Sequence, residues 1–372
     1  MSRNKTPLFR RSRHLLCYWR DGQLVFENYL AGTRVSADPI ALTILGFFER
    51  WRPAGSLARH LGQFDPASVR KAVGELAQHS LLEESGRREP EMTTWREWNP
   101  AAGFFHFSTK DVPYESEPSR VARLLRHRLR RQPIPPPVKH YPRARQIRLP
   151  SPTADGDFPR VLLARRTWRQ FSPQPVSLSD LSTLLKLTWG VQSWLKLPVL
   201  GRLALKTSPS GGARHAIEAY VLAVRVAGLA PGLYHYAADS HRLELLRRRA
   251  SPWDIRRFLP GQPWCARAAA LVLMTAVFPR SQWKYRSARA YRVVLLDSGH
   301  ICQTFCLAAT WLGLAPFCTL ALADSQIEKA LGLDGITESV VYAAGVGMRP
   351  AGVHLTPRRR AIKPSARLAV RG

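Results

Sequence analysis

Two stretches of this chain combine residue types that can do chemistry. Arg165-Arg-Thr-Trp-Arg-Gln-Phe171 sets three arginines and a threonine within five residues. A phosphate dianion needs fixed donors, and each guanidinium offers a planar fork of N–H groups. Further along, Lys206-Thr-Ser-Pro-Ser-Gly-Gly-Ala-Arg-His215 places two glycines beside the hydroxyls of Ser208 and Ser210, with Arg214 following. Glycine lets the backbone approach a ligand closely. Gly-Gly next to serine is also an ordinary turn. For the arginines, the bland alternative is surface charge on a helix.

The cysteines are Cys17, Cys265, Cys302, Cys306 and Cys318. Their number is odd and no CxxC occurs, so a disulfide framework is not expected and a reducing cytoplasm is. Cys302 and Cys306 stand four apart on an expected helix. Two small core residues are the expectation there, with a redox or metal pair as the alternative. No metal is expected. The N-terminus lacks an apolar stretch of signal-peptide length. The longest apolar run, Ala268 to Phe278, suits a buried strand and is too short to span a bilayer.

The elements that must position these residues follow from periodicity. Ser177-Leu-Ser-Asp180 reads as a helix start before Leu181, Leu184 and Leu185. Residues 219–226, 269–277 and 338–344 read as strands. Gly232–Tyr236 and Leu243–Leu246 flank a turn and predict a hairpin. Residues 291–313 predict a long apolar helix stopped by Gly313. Helices and strands mix without strict βαβ alternation, which predicts an α+β fold. No GxGxxG follows a strand, which argues against a Rossmann cofactor site.

Upstream, residues 14–86 read as a small compact domain. Its order is a hairpin around Arg20-Asp-Gly-Gln23, a helix over 40–51, a second over 56–61, a third from Asp65-Pro66, then a strand and wing near Leu81–Gly86. That order suggests a winged helix. Residues 91–157 read as a basic, Pro-rich linker, with a basic helix conceivable over 121–131. Residues 358–372 read as a basic tail.

The net charge is +30, and its placement matters more than its size. Residues 14–86 carry seven Lys and Arg against eight acids, and residues 161–372 carry 29 against 10. A DNA-binding domain needs a basic face, because phosphate contacts dominate affinity. The near-neutral 14–86 segment therefore argues against nucleic acid and for a peptide partner, bound by adding a strand to the wing.

Taken as an ordered set, several motifs resemble the nitroreductase superfamily. They are the 165–171 and 207–215 segments, Pro231-Gly-Leu-Tyr-His-Tyr236, Lys284-Tyr285, Gly299-His-Ile-Cys-Gln303 and Leu331-Gly-Leu-Asp334. The resemblance covers roughly residues 158–350. It is nearest to the SagB-type branch, the azoline-peptide dehydrogenases of thiazole/oxazole-modified peptide clusters.

The resemblance implies an α+β, nitroreductase-like mixed sheet with flanking helices over 158–357. It implies a domain-swapped homodimer with FMN at the interface. Arg165, Arg166, Thr167 and Arg169 would hold the phosphate and ribityl chain. Ser208, Pro209, Ser210 and Gly211 would come from the facing subunit. The segment Pro316-Phe-Cys-Thr-Leu320, Thr319 included, would pass near the isoalloxazine, and Gly347 and Arg349 would return to the phosphate. Lys284 and Tyr285 would give acid–base help while a hydride moves to flavin N5. Their ordinary pKa values, about 10.4 and 10, would have to fall for that work near neutrality.

The 14–90 domain resembles the PqqD-like elements that grip leader peptides. The implied partners are a precursor peptide and a cyclodehydratase. The chain departs from the family where Gln303-Thr304 replaces the usual Gln-Asn. It departs again at the 194–205 insert, and where the 316–320 segment lacks glycines. Two other readings stand beside this one. One is a general NAD(P)H-dependent FMN nitro or quinone reductase. The other is a non-catalytic basic scaffold or nucleic-acid-binding protein.

Overall fold

In a computed structural model, residues 6–87, 89–113, 115, 117–131, 156–197 and 201–353 are described. Most of the expected linker's Pro-rich part and the basic tail lie outside these residues. The chain divides into two compact units.

The first unit comprises Met1–Val112, Val277–Leu296 and Gly332–Ser339. Its N-terminal part runs β1 (Leu8–Arg11), β2 (Leu15–Arg20), β3 (Gln23–Asn28), β4 (Thr33–Ser36), α1 (Ile40–Phe47), β5 (Arg52–Pro53), α2 (Ala54–His60), α3 (Pro66–Gln78) and β6 (Leu82–Glu84). Two three-stranded sheets result, in the orders β5-β1-β6 and β2-β3-β4. The β2–β3 hairpin turns on Asp21 and Gly22, both at positive φ (50° and 77°). A two-residue turn with that geometry matches the twist of the strands it joins. At α3, the Asp65 carboxylate accepts from the Ser68 N–H, ahead of Pro66 in the first turn. Phe9, Phe26, Phe48, Leu57, Val73 and Leu81 close the core.

The central strand β1 lies before the expected domain start at residue 14. Its signal was hidden because only Phe9 of Leu-Phe-Arg-Arg is buried. A second departure is that part of the expected linker is folded. A 3-10 turn spans Thr93–Trp95 and α4 spans Ala101–Ser108. Trp95 and Trp98 are fully buried there. The Trp95 indole donates to the Ile336 carbonyl. His106 Nδ1 lies 2.8 Å from the Tyr291 hydroxyl. Burial pushes the His106 pKa down to about 3, so the ring is neutral in this aromatic cluster.

The second unit comprises Pro113–Ala276, Asp297–Leu331 and Val340–Gly372. Its first helices are α5 (Pro118–Arg131), α6 (Asp157–Ala164) and, after β7 (Val176–Ser177), α7 (Leu178–Trp189). Ser177 caps α7, accepting from the Asp180 N–H as its own hydroxyl donates to the Asp180 carboxylate. The unaligned insert forms the hairpin β8 (Ser193–Leu197) and β9 (Gly201–Leu205).

There follow β10 (Ile217–Ala223), β11 (Val226–Ala227), β12 (Gly232–Ala237), β13 (Arg242–Arg248), α8 (Pro252–Phe258), β14 (Ala270–Val277), α9 (Phe278–Gln282), α10 (Ala290–Trp311), β15 (Leu314–Thr319), α11 (Asp324–Leu331) and β16 (Glu338–Met348). The main sheet has the order β13-β12-β10-β14-β16-β15. Its hairpins, β10–β12, β12–β13 and β15–β16, are antiparallel. Helices and a mixed-connection sheet give the expected α+β architecture.

The long helix α10 ends where Gly313 takes φ +75° and its N–H bonds the Thr310 carbonyl. By length and composition α10 could cross a membrane, but 56% of its apolar window is buried in this fold. A core helix passes the same test.

Candidate functional site

The arginine segment leaves the end of α6 in extended form. Its backbone is fixed by two hydrogen bonds, Trp168 N–H to the Pro316 carbonyl and Ser172 N–H to the Met348 carbonyl. Phe171 packs against Trp264 and Phe317, with ring centroids 6.5 and 5.8 Å away. Gly347 makes that packing possible, because a Cβ there would lie 2.7 Å from the Phe171 ring. So residues 165–172, 316–319 and 347–349 gather in one place.

Within that cluster the cations differ. Arg166 donates to the carbonyls of Leu163 and Arg165 through one nitrogen, Nη1. Arg169 lies 5.7 Å from the Trp264 ring. Among the described residues, none of Arg165, Arg166 and Arg169 pairs with a carboxylate. Thr167 is half-buried between them. Three guanidiniums without acidic partners form a donor set suited to a phosphate dianion. Thr319 accepts from the Gln262 amide and from the Ala321 N–H.

Arg349 is differently placed. Its Nε donates to the Leu314 carbonyl and its Nη2 to the Thr310 carbonyl, both at 2.9 Å. It thus satisfies a carbonyl in the last turn of α10, where a cation also complements the helix dipole. Burial lowers its pKa. This guanidinium is held by the backbone more firmly than the three upstream.

The serine–glycine loop is tied to α10. Ser208 is buried, and its hydroxyl lies 2.6 Å from that of Thr304. The Ser210 hydroxyl and the Gly211 N–H both donate to the Asp297 carboxylate. The Ser210 oxygen accepts in turn from the His215 N–H. Burial pushes the Asp297 carboxyl upward, against those two hydrogen bonds that hold it down. Pro209 is exposed.

The loop is also conformationally unusual. Gly212, Ala213 and His215 all take positive φ, at 62°, 53° and 43°. For Ala213 and His215 that region is disfavoured, and such strain clusters at ligand sites. Asp297 was not read from the sequence. Thr304 was read only as a departure from the family's asparagine, with no partner assigned to it.

Lys284 and Tyr285 belong to the first unit, just after α9. The Tyr285 N–H donates to the Ser281 carbonyl, and the Trp98 indole donates to the Tyr285 carbonyl at 3.0 Å. Lys284 is exposed, and its Nζ lies 5.4 Å from the Tyr285 ring. A buried tryptophan from the expected linker therefore fixes the backbone that carries the pair.

The first unit also holds an open groove of ≈ 760 Å³ beside β2, lined by Arg10, Arg11, Arg13, Arg50, Leu16 and Trp51 among others. Among the described residues β2 pairs only with β3, so its other edge has no ladder partner there. A second cleft near β6 carries Glu83, Glu84 and Glu89.

Comparison with known proteins gives a consistent picture. Residues 162–348 match the family described as the nitroreductase family. The chain is 32% identical over 177 residues to the trifolitoxin-processing protein TfxB of Rhizobium leguminosarum bv. trifolii, a match covering 46% of this chain and 47% of that protein. It is 31% identical over 138 residues to the microcin B17-processing protein McbC of Escherichia coli, covering 34% and 48%. The chain thus spans about half the length of these two relatives. Among solved structures, the E. coli microcin synthetase McbBCD complex with truncated pro-MccB17 bound aligns at 20% identity. That alignment covers 72% of this chain and 86% of that one, with a TM-score of 0.42.

Proposed function

The chain belongs to the nitroreductase family, a family of oxidoreductases, and from that premise we propose that it is an FMN-dependent dehydrogenase oxidising azoline rings to azoles in a ribosomally made peptide. The observation that carries the cofactor is the set of three guanidiniums without a described carboxylate partner, on a segment pinned by backbone bonds and aromatic packing. Arg165, Arg166, Thr167 and Arg169 would hold the phosphate and ribityl chain. FMN, when bound, supplies the hydride acceptor. Lys284 and Tyr285 would take and return the ring proton, with Trp98 keeping their backbone in place.

A homodimer fits two features. Ser208, Ser210 and Gly211 are bound to α10, and with Pro209 they would serve the cofactor of a second copy. Phe158, Leu163 and Trp311 are 67%, 64% and 58% exposed, an apolar face that a second copy would cover.

The peptide substrate is supported by relatives named for toxin and microcin processing. In the first unit, the free edge of β2 could take an extended peptide as an added strand, with the arginine-lined groove favouring acidic residues in it. The order of elements there, three helices with small sheets and β6 after α3, supports a winged-helix peptide-grip domain. A cyclodehydratase would have to supply the azoline.

The test is direct. The purified protein should be yellow with about one FMN per chain, and it should remove two hydrogens per ring from an azoline-bearing precursor, read by mass spectrometry. A colourless protein after FMN reconstitution defeats the cofactor. NAD(P)H-driven dye reduction with no azoline oxidation would make it a general reductase.

A further inference from the structure

Three of the second unit's four cysteines converge although they come from different elements. Cys302 and Cys306 are four apart on α10, so their side chains lie on one face, a turn apart. Cys318 comes from β15, the strand that follows. The three Sγ atoms lie within 4.8 Å of one another. The first two residues are buried and the third is half-buried, which leaves a side by which an ion can enter. We propose that Cys302, Cys306 and Cys318 form a three-thiolate site for a thiophilic d10 cation.

The geometry suits such an ion. Zinc–sulfur bonds of about 2.3 Å set thiolates about 3.8 Å apart around a tetrahedral centre. Small χ1 adjustments bring these sulfurs from their present spacing to that value. Three soft donors with no carboxylate in the cluster select a thiophilic cation over a hard one such as Ca²⁺ or Mg²⁺. Three thiolates alone complete a trigonal Cu⁺ site. Zn²⁺ would need a fourth donor, from water or from Tyr342.

The surroundings act in the same direction. The Tyr342 hydroxyl hydrogen-bonds with Cys318, the kind of outer partner that orients a metal ligand. The Arg165 guanidinium acts electrostatically on Cys306 and Cys318 and would offset part of the charge of a metal-bound thiolate cluster. Cys265 is buried outside the cluster. Cys318 lies in the segment expected near the isoalloxazine, and Arg165 in the set proposed for the phosphate, so the test must read metal binding itself and not flavin.

The experiment uses the full chain, reduced and freed of metal, titrated separately with Zn²⁺ and with Cu⁺ against a chromophoric chelator. Bound metal is counted by mass spectrometry, which flavin absorbance does not disturb. About one equivalent of one of the two ions should bind, and which one it is separates the trigonal from the tetrahedral site. Cys306→Ala and Cys318→Ala should each weaken binding by about 100-fold or more, at least the loss seen when an outer partner is removed. Cys17→Ala and Cys265→Ala should leave it unchanged. If a cluster variant fails to fold by circular dichroism, the wild-type titration still decides. Binding of neither ion by the fully reduced wild type, or undiminished binding in Cys318→Ala, overturns the proposal.

Discussion

Arg166 and Arg349 carry the same charge in the same cluster, yet their surroundings assign them different work. Arg166 bonds two carbonyls through one nitrogen and keeps its remaining donors. Arg349 is spread over two carbonyls at a helix end. Arg166→Ala should therefore weaken FMN by about 1.5–3 kcal/mol, the worth of a hydrogen bond to a charged group, with little change in unfolding. Arg349→Ala should mainly lower stability, by about 2 kcal/mol, because it strands buried carbonyls. Equilibrium flavin titration and urea denaturation on both variants check this; a reversed pattern would exchange their roles. The sequence showed the arginines but not this division, because backbone acceptors leave no mark in composition.

Lys284 and Tyr285 make a further test at this scale. Lys284→Ala and Tyr285→Phe should keep FMN and fold but slow azoline oxidation by about 10²–10⁴-fold, the usual contribution of acid–base groups. Full activity in both would remove the pair from the mechanism.

Elements decide where such residues can act. The 277–296 segment carries Lys284 and Tyr285, and its anchor is Trp98, from a stretch that read as linker. Proline and arginine dominated that reading, while Trp95, Trp98, Phe104, Phe105 and Phe107 were the overlooked sign of a packed cluster. Trp98→Phe keeps the ring but removes the donor to Tyr285. It should lower kcat more than it raises KM, and by less than Tyr285→Phe; an unaltered kcat would make the bond merely structural. By contrast, the α3 cap, the α7 cap and the stop of α10 at Gly313 were all legible, because each depends on local chemistry alone. The β8–β9 hairpin was not, since residues 194–205 lack a turn signal strong enough to set a register.

The main sheet carries its own titratable link. His235 on β12 lies between Glu244 on β13, at 2.7 Å, and Glu218 on β10, at 3.1 Å. The hydrogen bond to Glu218, then that to Glu244, raise its pKa to about 9, against the loss of solvation. A folded-state pKa above the unfolded value of about 6.5 means stability that is complete below pH 6.5 and lost as pH rises through 9. Glu244 is 59% exposed, so screening reduces the effect to about 1–2 kcal/mol. Urea midpoints measured from pH 6 to pH 10 should fall over that window. In His235→Gln the fall should flatten; an identical slope would place the titration elsewhere.

At the scale of the whole molecule, the proposed function requires a unit with a strong excess of positive charge to capture one peptide. The overall fold of that unit was legible because its motifs come in a fixed order along the chain. The proposed peptide surface was less so: the sequence pointed to strand addition at the wing, and the structure adds a basic groove beside β2 and an acidic cleft by β6. Removing residues 1–90 would be a poor test, because Tyr29 packs against Phe104 and Phe107. Charge reversal is cleaner. Arg13→Glu with Arg50→Glu changes the groove's rim and leaves the hydrophobic core alone. If the groove captures an acidic leader, KM for the full precursor should rise about tenfold, with kcat unchanged, the signature of lost uniform binding. The rise should shrink in high salt, where charges more than about 3 Å apart are screened. A short core peptide lacking the leader should be oxidised as before. An unchanged KM for the full precursor would take the groove out of substrate capture, and equal losses on both substrates would point to a damaged fold instead.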